Sequence, residues 1–561
     1  MQDFDDLIAY FSMEIALDES IPTYSGGLGV LAGDTLKSMA DIGMDVVGIT
    51  LLSEKGYFYQ TIDSQGNQIE SDNNWSVNDF LNKLDLEVEI KIENRSVFVT
   101  AWEKIINGVS GKQIRILFLD TNIEKNQEED KYLTSHLYGG ELDYRLKQEI
   151  ILGVAGIKLL RKLNYTPKKF HMNEGHAAFL TLELYREKID INDPNERLQI
   201  IRKQCSFTTH TPVPAGHDSF DYEHVKRCLG DLLPGYIGEL ITNENKFSMT
   251  VLAMEFSAYI NAVSKKHQEV SKKMFPEYNI DYITNGVHTN TWTSPQIAAL
   301  LDKHLQDWRR NPLDLRNALR IPLDQIWSAH VEAKKELINH INHHSNAGFD
   351  YDEFTVGFAR RTTEYKRAEI IFSDLNKLKE INSKFKIQIV IAGKAHPRDI
   401  QGKEIIKRIV TKAKELVNEI KITYLENYDM HIAKLMTAGC DLWVNTPKRP
   451  LEASGTSGMK AAHNGVPSLS ILDGWWIEGC IEGKTGWSIG EENPEGSDQE
   501  INKKDSESFY EKLQEITKIF YEKNKIYSDI MRYSLAINGS YFNTNRMAKQ
   551  YLVRAYARRQ S

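Results

Sequence analysis

The chain has 561 residues, 41% of them hydrophobic and 26% charged, with a net charge of -9. That length exceeds what one core holds and predicts two domains of roughly 250 residues each. The composition excludes a disordered chain, and the negative balance argues against a nucleic-acid partner while allowing a local basic pocket for phosphates. Four scattered cysteines, Cys205, Cys228, Cys440 and Cys480, form no CxxC pair, which fits a reducing cytoplasm. The acidic start, with its short apolar run, reads as neither a signal peptide nor a membrane span.

In chain order, the first half offers strand-like runs LIAYFSM, DVVGITLL, QIRILFLDT, KKFHMN and QCSFTTH, with a long helix around Glu149 to Leu163. The second half is more regular. Its apolar runs are Phe354 to Ala359, Ile387 to Gly393, Ile420 to Leu425, Cys440 to Thr446 and Ser468 to Leu472, separated by helical stretches such as KRAEIIFSDLNKLKEI and GKEIIKRIVTKAKELV. Continuous apolar strands alternating with helices predict parallel, doubly wound α/β sheets. Two such units facing each other would place ligands at the carboxyl ends of the strands. The predicted units are 1–292 and 293–529, with a closing segment 530–561 that packs back on the first.

The motifs fall at those strand ends. Glu452 to Lys460, EASGTSGMK, sets a carboxylate, a hydroxyl- and glycine-rich turn and a lysine in one run. Such a turn leading into a helix presents N–H groups to a phosphate, and a lysine beside it is placed to bond pyridoxal phosphate. YSGGLGVLAGD, around Gly26, Gly27 and Leu28, lets backbone approach a ligand closely. ARRTTEYKRA carries Arg360, Arg361, Lys366 and Arg367, cations suited to phosphate oxygens. His171, His176, His210 and His217 lack metal-ligand spacing, so no metal is expected; His210, before Pro212 and Pro214, suits a substrate-facing loop.

With GGLGVLA, RLKQE, HMNEGHAA, TTHTPVP, ITNGVHT, EYKR, LENY and EASGTSGMK in this order, the chain resembles the α-glucan phosphorylases, the glycogen and maltodextrin phosphorylase family, over nearly its whole length. The resemblance implies two Rossmann-like domains facing a cleft (the glycosyltransferase B type), with pyridoxal 5'-phosphate between them. It implies that Lys460 bonds the cofactor and that Thr456, Ser457, Arg360, Tyr428 and Gly27 surround it. Arg361 and Lys366 match the grip on substrate phosphate. Glu452, Ser454, Gly455, Asn285, Tyr365 and His210 match sugar contacts, Gly26, Gly27 and Leu28 line the same subsite, and Glu174 stands behind it. The implied reaction is reversible phosphorolysis of α-1,4-glucan by inorganic phosphate, giving α-glucose 1-phosphate with retention.

Departures from the family pattern carry expectations of their own. The chain is much shorter than the animal enzymes, which implies no control by phosphorylation or nucleotides. Asp429 stands where the glycogen enzymes place an arginine, and Lys448 or Arg449 is expected to replace that charge. Thr363, Ser457 and Gly458 also differ from the usual residues. A sugar-nucleotide-dependent glycogen or starch synthase would place a glutamate where this chain has Lys460, and a silent glucan-binding protein would not need Lys460, Arg361 and Lys366 together. Acceptor subsites are expected on loops such as Asn122 to Leu137, and the sequence leaves open whether the protein is a homo-oligomer.

Overall fold

The computed structural model describes residues 6–345 and 347–557. It contains a ten-stranded and a six-stranded sheet. The first runs from edge to edge as Ile280–Tyr282, Tyr259–Ala262, Cys205–Thr208, Lys169–Asn173, Ile8–Ser12, Val46–Leu51, Gln113–Asp120, Arg95–Asn107 and Asn82–Lys83, with Val88–Ile92 also paired to Arg95–Asn107. The second is parallel throughout, in the order Lys421–Leu425, Ile387–Ala392, Phe354–Ala359, Leu442–Asn445, Ser468–Ile471 and Gly486–Ile489.

The α/β class expected from the sequence is what forms. Ile8–Ser12, Val46–Leu51, Phe354–Ala359 and Ile387–Ala392 are buried along their whole length, because helices cover both faces of a parallel strand. The first sheet departs from a purely parallel pattern. Arg95–Asn107 pairs antiparallel with Gln113–Asp120, since only a tight turn through Gly108 and Gly111 separates them and a parallel return needs a longer crossover. The helix expected to begin in KRAEIIF also differs. Arg367 adopts φ +48°, which an α-helix does not tolerate, so a 3₁₀ turn, Ala368–Phe372, precedes a helix at Leu375–Lys384 capped by Asp374. The helix around Glu149 runs from Leu142 to Lys162 with a π-helical stretch, Ile151–Ala155, in its middle.

The last segment belongs spatially to the first sheet. Asn543 caps the helix Thr544–Tyr551 by accepting from the Arg546 N–H. Tyr551 Oη lies 3.1 Å from Thr208 Oγ1 and 3.0 Å from Asn261 Nδ2, and Tyr556 Oη lies 2.7 Å from His171 Nδ1. Buried hydroxyls and amides require such partners. Tyr551→Phe is expected to lower the unfolding free energy by about 0.5–1.5 kcal/mol, because Asn261 Nδ2 keeps Ala262 O and Thr208 Oγ1 keeps Asn261 Oδ1 as partners and only the bonds to the phenol are lost; urea unfolding measures this, and an unchanged midpoint would show that those bonds do not anchor the helix. An apolar seam joins the two sheets: Ala16, Val30, Val287 and Trp292 pack against Met430, Ala433, Met459, Trp475, Trp476 and Phe542. Among the described residues no helix is long and apolar enough to cross a membrane.

Candidate active site

Parallel pairing of Phe354–Ala359 with Leu442–Asn445 sets two strand ends side by side. Arg360 and Arg361 leave one; the loop to Glu452 leaves the other. Arg360 Nη2 lies 2.5 Å from the Glu452 carboxylate and Lys366 Nζ 2.9 Å from the same oxygen, while Arg360 also donates to Asn445. Burial alone would push the Glu452 carboxyl up, but Arg360 and Lys366 hold it down to about 2. Lys366 also stands 4.5 Å over the Tyr365 ring. Against the upward push of burial, Lys366 and Arg361 hold the Tyr365 phenol below its ordinary value. Arg361 is reached by solvent, yet Tyr365, Tyr57 and Glu14 offset the cost of its enclosure, a combination that the floor of a cleft produces.

Gly455, at φ +91°, turns the chain in a conformation that glycine adopts without strain and opens the helix Thr456–Ala462. Asp473 braces this loop, accepting from the N–H groups of Glu452 and Gly474, each at 2.9 Å, and Ser454 O accepts from Trp475 N. Burial lifts the Asp473 carboxyl to about 7. Because the folded state favours its protonated form, its contribution to stability is complete below the ordinary carboxylate range and is lost as pH rises through about 7. Asp473→Asn is therefore expected to flatten the decline of unfolding free energy between about pH 4 and 7, read from urea titrations across that range; equal slopes would refute it.

Across the cleft, ends of parallel strands again supply the side chains. Glu174 follows Lys169–Asn173, His210 follows Cys205–Thr208 and Asn285 follows Ile280–Tyr282. His210 Nε2 lies 2.7 Å from Asn173 Oδ1, and burial lowers its imidazole to about 4, which leaves a neutral hydrogen-bonding ring near neutral pH. Three contacts close the two sides on each other: Ser264 Oγ donates to Ala453 O at 2.7 Å, Thr284 Oγ1 to Glu478 at 2.7 Å and Met430 N to Tyr24 Oη at 3.0 Å. The Asn285 Oδ1, Thr363 Oγ1 and Ser454 Oγ atoms are buried and lack a hydrogen-bond partner. Orphaned polar atoms are rare in a folded interior and suit a polar ligand.

Lys460 lies under this cleft. Its Nζ is 3.9 Å from the centroid of the Trp292 ring, and Trp292 Nε1 donates to Asp34 at 2.7 Å. Burial lowers the ammonium to about 8, with Asp34 opposing the shift. A lysine tuned in this way keeps an unprotonated, nucleophilic fraction near neutrality.

The carbohydrate phosphorylase family profile matches residues 236–551. Maltodextrin phosphorylase of Thermococcus litoralis is 38% identical, over 99% of this chain and 71% of that protein. The chain belongs to the carbohydrate phosphorylases. Glycogen phosphorylase of Aquifex aeolicus is 34% identical, over 98% of this chain and 86% of its own length, and an uncharacterized protein of Methanocaldococcus jannaschii is 31% identical, over 98% and 99%. As a member of this family the chain is an enzyme of glycosyl transfer.

Within this phosphorylase, the structure brings Arg360, Tyr365, Lys366, Glu452, Ser454 and Gly455 together, and sets Lys460, Thr456 and Ser457 on the helix that follows. Ser457 Oγ lies 3.2 Å from Trp443 Nε1, and Tyr428 packs against both the seam and the cluster around Trp443. Three expectations are revised. Lys448 pairs with Asp498 at 2.6 Å and Arg449 with Asp505 at 3.0 Å, so neither replaces a cation beside Asp429; Asp429 instead caps the helix Met430–Gly439 and lies in the field of Lys394. The Glu174 carboxylate is committed to protein, accepting from His210 N, Thr211 Oγ1 and Gly175 N at 2.7, 3.0 and 3.1 Å, so it braces the His210 loop. The Gly26 N–H donates to Glu14 at 3.3 Å, which leaves the N–H groups of Gly27, Leu28 and Gly29, in the first helical turn, without an intrahelical acceptor. Sequence reasoning missed Glu14, Asp34, Trp292 and Asp473. Asp34 closes the YSGGLGVLAGD motif and Asp473 opens DGWW, so their place was visible while their partners, far along the chain, were not. His171, His176, His210 and His217 form no metal-ligand group among the described residues.

Proposed function

We propose that the chain is an α-1,4-glucan phosphorylase, in which two Rossmann-like units face one cleft and inorganic phosphate takes a glucosyl unit from the non-reducing end of a glycogen- or maltodextrin-like chain. The product is α-glucose 1-phosphate, and the reaction is reversible. The observation that carries this reading is the set of adjoining strand ends at which Arg360, Lys366 and Glu452 converge one turn of chain before a buried, depressed-pKa lysine.

Pyridoxal 5'-phosphate fits this donor set: Lys460 would bond its aldehyde, with Thr456, Ser457, Arg360, Tyr428 and Gly27 around it. Bound there, the cofactor would supply a phosphate able to exchange a proton with the substrate phosphate. Arg361 and Lys366 hold the substrate phosphate and supply the positive charge that two neighbouring phosphates demand. Glu452, Ser454, Gly455, Asn285, Tyr365 and His210 orient the glucosyl hydroxyls, and the orphaned oxygens of Asn285 and Ser454 gain partners when they do. A phosphate oxygen bonds C1 on the face from which the glycosidic oxygen leaves, the C1–O bond breaks, and the proton on the substrate phosphate passes to the departing 4-oxygen, so configuration is retained. The apolar seam beneath Lys460 keeps water from taking the place of phosphate.

Borohydride reduction of the purified protein followed by peptide mass mapping is expected to place a pyridoxyl-phosphate adduct on Lys460, with glucose 1-phosphate formed from maltodextrin and phosphate before reduction. An unmodified Lys460 in cofactor-saturated protein would overturn the reading.

A further inference from the structure

We infer that Glu14 is a positioning residue for the glycine turn, and that it ties that turn to the segment at the mouth of the cleft. Glu14 follows the strand Ile8–Ser12 and is 2% exposed. Its Oε2 accepts from Ser25 N at 2.5 Å and Gly26 N at 3.3 Å. Its Oε1 accepts from Ser25 Oγ at 3.1 Å and Tyr138 Oη at 2.8 Å. All the bonding directions of one buried carboxylate are therefore spent on two segments more than a hundred residues apart in sequence.

The fit is tight on the helix side. A Cβ at Gly29 would lie 2.7 Å from Glu14 Oε2, 2.8 Å from Tyr24 Cβ and 2.9 Å from Glu14 Cγ, so Glu14 and Tyr24 together leave room only for glycine there. At Gly26 and Gly27 a Cβ would meet nothing within 4 Å: the turn's other face is open. By engaging Ser25 and Gly26, Glu14 fixes the direction in which the N–H groups of Gly27 and Leu28 point, and these have no intrahelical acceptor. It also lies in the field of Arg361, so the turn and the substrate-phosphate cation share one counter-charge.

On the other side, Tyr138 holds φ +54°, an uncommon backbone state for a residue with a side chain. Its ring lies under the Arg145 guanidinium at 4.3 Å, and Arg145 is pinned by Asp218 at 2.7 Å and Glu149 at 3.0 Å. Tyr138 lines a cavity of about 310 Å³ with Tyr57, Phe58, His136, His396 and Arg398. Through Glu14, the wall of that cavity and the donors of the glycine turn hold one another in place.

The kinetic part of this inference rests on the phosphorylase reading; the structural part does not. The experiment measures amide hydrogen exchange in peptides covering 24–30 and 136–141, together with phosphate and maltodextrin saturation kinetics, for Glu14→Ala, Glu14→Gln and Tyr138→Phe. Glu14→Ala is expected to speed exchange in both segments about tenfold or more, and to raise the KM for phosphate about tenfold or more while the KM for maltodextrin stays within about threefold. Glu14→Gln, which keeps one acceptor oxygen, recovers part of both effects. Tyr138→Phe loosens 136–141 with a smaller change in phosphate KM, on the order of twofold to fivefold. Wild-type exchange at 24–30 in Glu14→Ala would overturn the inference, as would equal rises in both KM values. If the wild-type protein forms no glucose 1-phosphate, the phosphorylase reading fails, and the exchange data still decide whether Glu14 holds the turn.

Discussion

Lys460→Ala is expected to lower glucose 1-phosphate formation by roughly 10³-fold or more, because it removes the group that bonds the proposed cofactor. The side chain is buried over the Trp292 ring, and Asp34, the buried carboxylate in its field, keeps the bond from Trp292 Nε1 at 2.7 Å and lies in the field of Lys37 as well. The variant should therefore fold, as circular dichroism and urea unfolding would report. Lys460→Arg keeps a cation over the ring but cannot form the covalent link, and should be as inactive as the alanine variant. Retention of more than about a tenth of wild-type activity by either would sink the cofactor assignment.

The second large effect falls on Lys366. Lys366→Ala takes away one of two cations on the buried Glu452 carboxylate and half of the proposed grip on substrate phosphate. The expected result is a fall of about 10²–10³-fold in kcat/KM for phosphate, the cost typical of one charged or hydrogen-bonding contact in a closed site. A pH signature accompanies it. The folded-state pKa of Glu452, about 2, is depressed below the ordinary value, so its contribution to stability is present above the unfolded pKa and lost as pH falls through about 2. With only Arg360 left, the folded pKa rises, and the acid limb of the stability curve should move to higher pH. Phosphate saturation kinetics and urea unfolding across pH 2 to about 6 check both parts; an unmoved acid limb with normal phosphate kinetics would refute the assignment of Lys366.

Much of the fold was legible because parallel strands covered on both faces must be apolar without interruption; Ile387–Ala392 and Val46–Leu51 could hardly read otherwise. Strands that are short or carry polar residues, Tyr259–Ala262, Ile280–Tyr282 and Gly486–Ile489, gave no such signal. Arg367 looked like a helical residue beside KRAEIIF, yet its guanidinium donates to Thr446 O and Pro447 O and pairs with Asp505, and these distant bonds hold the left-handed φ that breaks the helix.

The same division runs through the site. Lys460, Glu452, Arg360, Arg361 and Lys366 were nameable because each lies in a run whose glycine, hydroxyl and cation spacing is local chemistry. What Lys448 and Arg449 do was not, since Asp498 and Asp505 reach them only through the packing of the helix Asp498–Glu522. The sequence by itself determined the α/β class, the strands that are buried on both faces and the residue types at their carboxyl ends. Only the tertiary structure decided which charges pair, that Glu14 and Asp473 brace the loops and that Glu174 is spent on the His210 loop. Periodicity and turn chemistry act over a few residues, whereas a buried charge or hydroxyl takes its partner from whatever element the fold brings within about 3 Å.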